Sequence, residues 1–271
     1  MTRNTTLPPD PMDELRRNLE RLRLKVMLAG LDAALDEATR SEQSYATFLA
    51  ALVQLEMLAR NDGAAERRIK AARFPATKTF DEFDWNFQPG LNVLLVKDLM
   101  TLRFVGQGRP VLMLGKPGTG KSHMSIALGT LAAQRGHSVR FYTAPKLVAQ
   151  LYAAMADSTV DRLIEQLARI DLLIIDDLRQ MAVKLEHACL LFELIEMRSN
   201  RKATIISSNL PLSGWGAAVG AGTLAAPMID RLMERSLVLN IKKGRSWRTE
   251  GPEAPPEDDR PLDCTPDGED A

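Results

Sequence analysis

Long apolar runs are missing from this 271-residue chain. No stretch reaches about 18 consecutive apolar residues, which excludes a membrane-spanning helix, and no membrane partner is expected. Cysteine is scarce. Cys189, inside a helical pattern, and Cys264, near the end of the chain, are too few for a disulfide framework and show no ligand spacing. The three scattered histidines, His123, His137 and His187, add no metal site. The first residues, MTRNTTLPPDPMDELRRN, lack an apolar core and a small-residue cleavage site, so they do not read as a secretory signal, and a cytoplasmic location is expected. What remains, at 45% hydrophobic and 26% charged, is the composition of an ordinary globular protein, long enough for one large domain or a core with a smaller appendage.

Net charge is also absent, but the zero total conceals a division. Residues 250–271 carry nine acids against Arg260 and are rich in Pro and Gly, the composition of a disordered acidic tail. Residues 1–90 are nearly balanced. The excess of basic charge lies in residues 91–249, with 21 basic against 12 acidic groups, which suits either a solvated surface or a polyanion partner.

Apolar residues recur at helical spacing from Pro11 to Ala72, through Leu15, Leu19, Leu22 and Val26, then Leu31 and Leu35, then Phe48, Leu52, Leu55 and Leu58. Residues 1–75 therefore read as a small helical module, closed by the basic residues Arg60, Arg67, Arg68, Lys70 and Arg73 and stopped at Phe74-Pro75. Residues 76–90 hold four of the fourteen aromatics, Phe80, Phe83, Trp85 and Phe87. A flexible linker has no use for them, so this segment reads as a strap packed on the next domain. From Leu91 to residue 249, short apolar runs at 110–114, 138–142, 171–176, 203–207 and 236–241 alternate with helical stretches at 122–134, 145–169, 186–199 and 224–235. Apolar strands separated by helices predict an α/β domain with a five-stranded parallel sheet covered on both faces.

Directly after the first strand comes Gly115-Lys116-Pro117-Gly118-Thr119-Gly120-Lys121-Ser122, followed by His123, a full match to the phosphate-loop pattern in its strand-to-helix context. Glycines let successive N–H groups turn inward, and the next helix presents its positive end to the same place. The expected ligands are ATP and Mg²⁺, with Lys121 on the β and γ phosphates and Ser122 on the metal. The run Leu172-Leu173-Ile174-Ile175 ends in Asp176 and Asp177. Strand-end acids often merely cap loops, but beside a phosphate loop Asp176 suits the Mg²⁺ shell and Asp177 suits orienting the attacking water. The fourth strand runs into Ser207-Ser208-Asn209, and Asn209 can position that water. Arg231, in Asp230-Arg231-Leu232, can serve either as a surface ion-pair partner or as a guanidinium reaching the nucleotide of a neighbouring subunit.

Taken together, LGKPGTGKSH, the strap ARFPATKTFDEFDWNFQP, SVRFYTAPKLV, DLLIIDDL, ISSNLP followed by Trp215-Gly216, the IDRL segment and the closing Gly244-Arg245-Ser246-Trp247-Arg248 resemble the IstB family, ATP-binding helper proteins of insertion-sequence transposons and kin of the DnaC helicase loaders in the AAA+ superfamily. The resemblance covers roughly residues 20–248. It implies an AAA+ core, ATP-dependent self-assembly on DNA with little regard to sequence, and regulation of a partner transposase. A DnaC-like loader of a replicative helicase shares every one of these site residues, and the N-terminal module, as partner-binding element, separates the two. A small-molecule kinase fits less well, because no lid with arginines follows the sheet. Many family members have Asp-Glu where this chain has Asp176-Asp177, and a helical C-terminal lid is missing, so hydrolysis is expected to be slow and dependent on the neighbouring subunit. By the same resemblance Lys146, Arg179 and Lys184 fall on stretches expected to face bound DNA, and Arg67, Arg68 and Lys70 form a second candidate patch.

Overall fold

The alternation of apolar runs and helical stretches resolves into one sheet with helices on both sides. A computed structural model describes residues 10–179, 185–215, 226–241 and 244–252, with the side chains of 185–188, 226–228 and 231 left out. The strands are β1 (Val111–Gly115), β2 (Val139–Thr143), β3 (Leu172–Leu178), β4 (Ala203–Ser208) and β5 (Leu237–Ile241). They lie in the order β2-β3-β4-β1-β5 and every pair is parallel. Strand side chains alternate between two cores, as the period of two requires. Val111, Met113, Leu172 and Ile174 face one cluster with Met124 and Leu128 of α6 (Lys121–Gln134). Leu112, Leu114, Leu173 and Ile175 face the other, with Leu147 and Leu151 of α7 (Ala144–Ala156), Ile164 of α8 (Val160–Arg169) and Leu191 and Leu194 of α9 (Leu185–Arg198). This is the five-stranded parallel sheet, covered on both faces, that the apolar runs predict.

The long helix expected over residues 145–169 is two helices. Asp157-Ser158-Thr159 breaks it, with Ser158 at φ 54° and the Thr159 N–H turned back to Ala154 O at 2.8 Å. Short polar side chains that compete with helical hydrogen bonds cause such breaks. Two further helices, α4 (Val93–Met100) and α5 (Arg103–Gly106), precede β1, where no element was assigned from sequence. Asn92 caps α4 by accepting from Leu95 N at 3.1 Å.

By contacts the chain divides into two units, Met1–Arg67 and Arg68–Ala271. The first holds α1 (Pro11–Arg21), α2 (Lys25–Arg40) and most of α3 (Tyr45–Ala72), around a small core of Leu19, Met27, Leu31 and Leu52. Glu56 of α3 is buried because it caps α2, accepting from the N–H groups of Val26 and Met27 at 2.9 and 3.1 Å. In the second unit the strap lies on the α6 face: Phe83 is buried, and Phe80 and Trp85 pack beside it with rings 5.9 Å apart. Among the described residues, no helix is long and apolar enough to cross a membrane, and no group of three His, Cys, Asp or Glu side chains stands ready to hold a metal.

The N-terminal edge of the sheet closes on polar contacts. Arg198 is fully buried and donates to Leu167 O at 2.5 Å, Ile170 O at 2.8 Å, Thr204 Oγ1 at 3.0 Å and Ala203 O, tying the turns before β3 and β4 together. Beside it, Asp171 accepts from Ser138 N and Oγ and from Lys202 Nζ at 2.9, 2.7 and 2.5 Å. Burial alone would raise the Asp171 carboxyl, but the lysine and the two Ser138 donors outweigh it and hold it at about 2. Because the folded value lies below the ordinary one, this contribution is present above about pH 4 and is lost as the pH falls through about 2. Asp171→Asn is therefore expected to cost about 1–3 kcal/mol at neutral pH. Denaturant unfolding at several pH values should show that difference shrinking toward zero between pH 4 and 2.

Candidate phosphate-binding site

After β1 the chain must turn sharply into α6, and glycine makes the turn possible. Gly118 and Gly120 sit at φ 77° and 88°, a region that L side chains rarely occupy. A Cβ on Gly120 would also lie 2.8 Å from the Phe83 ring. The loop thereby brings its N–H groups and the start of α6 to one place. Lys121, the first residue of α6, is buried, and its Nζ donates to Gly115 O at 2.6 Å and Lys116 O at 2.7 Å. Thr119 Oγ1 donates to Lys116 O at 2.9 Å. Burial pushes the Lys121 ammonium down to about 8; Asp176 and Asp177 pull the other way, and Arg248 adds to the lowering.

Asp176 stands at the end of β3, nearly buried, and its Oδ1 accepts from Ser122 Oγ of α6 at 3.0 Å and from Ser207 Oγ of β4. Ser207 Oγ in turn accepts the Asp177 N–H at 3.0 Å. Asp177 has φ 59° and lies where the β3–β4 register shifts between Ile175 and Leu178. A non-glycine residue held in this region stores strain, and the Ser207 contact helps to hold it. Its carboxylate is about half exposed and pairs with Arg179 at 3.2 Å. His123 joins the loop helix to the strap, with Nε2 at 2.7 Å from Thr79 O and its ring edge-on to Phe83.

The sequence-predicted residues Gly115 through His123, Asp176 and Asp177 are thus brought together. Asn209 is exposed, beyond the end of β4. Arg231 lies on α10 (Ala226–Glu234), but its side chain is outside the described residues, as is Lys184. Lys146 is exposed in the first turn of α7, and Arg67 and Lys70 are exposed on α3, where Arg68 is half-buried. Arg179 is engaged by Asp177. Ser207 was missed: Ser208 and Asn209, which follow it, are as polar as it is, and only the pairing of β4 with β3 shows which hydroxyl meets the acids. The segment after β5 was given no part in the site from sequence, yet Trp247 N–H donates to Gly118 O at 2.9 Å.

A glycine cradle without room for side chains, a lysine beneath it, and a hydroxyl beside a carboxylate form a site that fits phosphate groups with a hard divalent cation, since such cations take oxygen ligands. The chain matches the model of the family described as IstB-like ATP binding protein over residues 17–252. It is 36% identical over 237 residues to an ATP-binding protein of insertion sequence IS21 from Pseudomonas aeruginosa, covering 88% of this chain and 89% of that one. It is 32% identical to the corresponding protein of insertion sequence IS5376 from Geobacillus stearothermophilus, covering 87% and 94%. Among solved structures it is similar to the DnaC helicase loader (TM-score 0.52, 19% identity, 61% of this chain and 97% of that one). It is also similar to AMPPCP-bound DnaA from Aquifex aeolicus (TM-score 0.53, 20% identity, 62% and 50%), and at these identities the likeness is one of fold.

Removing the hydroxyl at position 207 leaves a buried carboxylate short of a donor and the Asp177 N–H without its acceptor. Ser207→Ala is therefore expected to cost about 1–3 kcal/mol. In a double-mutant cycle with Asp176→Asn the two losses should fall well short of additive, read from denaturant midpoints.

Proposed function

The chain belongs to the IstB-like ATP-binding family of insertion sequences, and from that premise we propose that it is an ATP-dependent DNA-binding transposition helper, which assembles as a homo-oligomer on target DNA and regulates a partner transposase. The observation that carries the reading is the Ser122–Asp176 contact at 3.0 Å below the glycine loop, a Mg²⁺-type oxygen pair beside Lys121. The insertion-sequence relatives favour a transposase over a replicative helicase as partner.

Bound ATP with Mg²⁺ supplies an activated phosphoanhydride whose cleavage to ADP and phosphate resets the assembly. The chain's own residues do the rest. The loop N–H groups of Gly115 to Gly120 and the Lys121 ammonium hold the β and γ phosphates, and Ser122 and Asp176 hold the metal. Asp177 orients the attacking water, and Asn209 assists from the next strand. Arg231 serves in trans, completing the neighbour's site by stabilising charge on the transferred group. The helical module of residues 1–75 engages the partner or DNA. Lys146, Arg179 and Lys184 form one candidate DNA-contacting set and Arg67, Arg68 and Lys70 another, each acting on phosphates without base information.

Lys121→Ala is expected to abolish ATP binding, and with it ATP-dependent DNA binding, in nucleotide titrations and filter binding. Unchanged DNA binding in that variant defeats the reading. Asp176→Ala is expected to weaken Mg²⁺-ATP, whereas Asp177→Ala keeps nucleotide affinity and stops phosphate release, leaving the protein on DNA; equal affinity losses contradict the division of roles. For DNA, log affinity is expected to fall with log salt at a slope near −0.9 per phosphate contact. Lys146→Ala should flatten the slope by about one contact, and an unchanged slope transfers the role to the Arg67, Arg68, Lys70 patch.

A further inference from the structure

Three turns at the N-terminal ends of neighbouring strands bring three arginines together. Arg109 precedes β1, Arg201 precedes β4 and Arg235 precedes β5, and in the sheet β1 lies between the other two. Arg109 Nε donates to Arg235 O at 3.1 Å, and the Arg235 guanidinium donates to Asn200 Oδ1. Gly108 is packed so tightly on the Arg201 main chain that an added Cβ would lie 2.9 Å from its carbonyl carbon. The acceptors in these contacts are neutral. Arg201 and Arg235 are exposed and Arg109 is half-buried, and among the described residues no carboxylate pairs with any of the three. Glu234, next to Arg235, is exposed, and Lys202, next to Arg201, is engaged by Asp171. A guanidinium carries five N–H donors, so most of them point to water, and cations held together in this way repel one another until an anion joins them.

The same chain carries a polyanion. Residues 253–271 hold eight acids against Arg260 alone, and they lie beyond the family match, which ends at residue 252. The point where this tail starts is fixed. Trp247 N–H is bonded to Gly118 O at 2.9 Å and Gly251 N–H to Trp247 O at 3.1 Å, so the tail leaves from the end of the strands opposite the arginines. β5 joins the two ends with only five residues, about 13 Å at 3.3 Å per step. Asp263 follows Pro252 by eleven residues, a reach of up to about 36 Å, and Asp267, Glu269 and Asp270 lie further along. A tether of this length keeps the acids near the arginines at an effective concentration of about millimolar, so contacts that are weak one by one suffice.

We propose that the edge formed by Arg109, Arg201 and Arg235 is a docking surface for the chain's own acidic tail, residues 253–271. Guanidinium forks match carboxylates in geometry as well as charge. The match is one of charge sign along the segment and requires no fixed fold of the tail. A tail seated here covers the arginines, so any other polyanion must displace it before it reaches them. The inference does not depend on the reading of the glycine loop as an ATP site.

The test uses the full chain with a pair of dyes, one on Cys264 of the tail and one on Gln107→Cys, an exposed position beside Gly108, in a Cys189→Ser background. Energy transfer within single chains at high dilution is expected to be strong at about 0.1 M salt and to fall at about 1 M, where the screening length drops from about 10 to about 3 Å. Arg201→Gln, whose side chain bonds nothing among the described residues, is expected to weaken docking about two- to fivefold, and the triple variant with Arg109→Gln and Arg235→Gln about tenfold or more. Asp263→Asn, Asp267→Asn, Glu269→Gln and Asp270→Asn together should weaken it as much. These four changes lie outside the sheet and its helices, so they decide the matter if the arginine variants fold poorly. Lys25→Gln, Lys97→Gln and Arg162→Gln remove three exposed cations elsewhere and should leave transfer unchanged. An equal loss in that control, or undiminished transfer with the neutralised tail, overturns the proposal. Transfer that arises only between singly labelled chains mixed together assigns the tail to a second copy and overturns the dock within one chain. Duplex DNA that binds through Arg201 without reducing transfer shows the arginines to be free for nucleic acid and overturns it as well.

Discussion

A carboxylate buried at the end of a parallel strand is the constraint around which this molecule is arranged. Asp176 is almost wholly out of water, and a buried charge is tolerated only when donors surround it. The donors come from two different elements, Ser122 at the start of α6 and Ser207 at the end of β4. For both to reach one carboxylate, β4 must pair beside β3, and α6 must start at the same end of the strands. The order β2-β3-β4-β1-β5 meets that requirement. The geometry that satisfies the acid is therefore the geometry that creates the phosphate cradle.

The opposite edge of the sheet solves a related problem for stability. There Arg198 is buried among backbone carbonyls and a threonine hydroxyl, and Asp171 gathers Ser138 and Lys202. Burial of the guanidinium without a directly bonded carboxylate pushes Arg198 down to about 9, with Asp171 partly opposing. Between the two polar edges the strands are apolar on both faces, as a sheet covered by helices requires. The Arg198 and Asp171 network and the candidate site thus lie at opposite ends of the same strands.

Over the phosphate loop, two segments far apart in sequence provide a cover. The strap contributes Phe83 against Gly120, Thr79 against His123 and Gln88 against Arg245; the segment after β5 contributes Ser246 and Trp247 against Gly118. These contacts explain why the loop glycines are crowded as well as conformationally unusual. A side chain at Gly118 or Gly120 meets both a disfavoured φ and an occupied space. The aromatic content of the strap is explained in the same way, since Phe80 stacks on Trp85 and Phe83 meets Trp85 edge-on on the α6 side.

Much of this was legible in the chain itself. Period and apolar runs marked the five strands and the helical first module, because alternation and helical spacing are local consequences of backbone geometry. The glycine loop with Lys121 and Ser122 was legible because its pattern is contiguous, and the place of Asp176 because it closes an apolar run that reads as a strand. The break at Asp157-Ser158-Thr159 was overlooked because its flanks share one helical period, although the polar triplet was its signal. What tertiary structure alone decided was which distant residues meet. Ser207 is set apart from Ser208 and Asn209 only by strand pairing, and Gln88 reaches Arg245 across 157 positions. Hydrogen bonds between residues so far apart leave no periodic trace in sequence, since their partners are selected by the packing of the sheet and its covering segments and not by spacing along the chain.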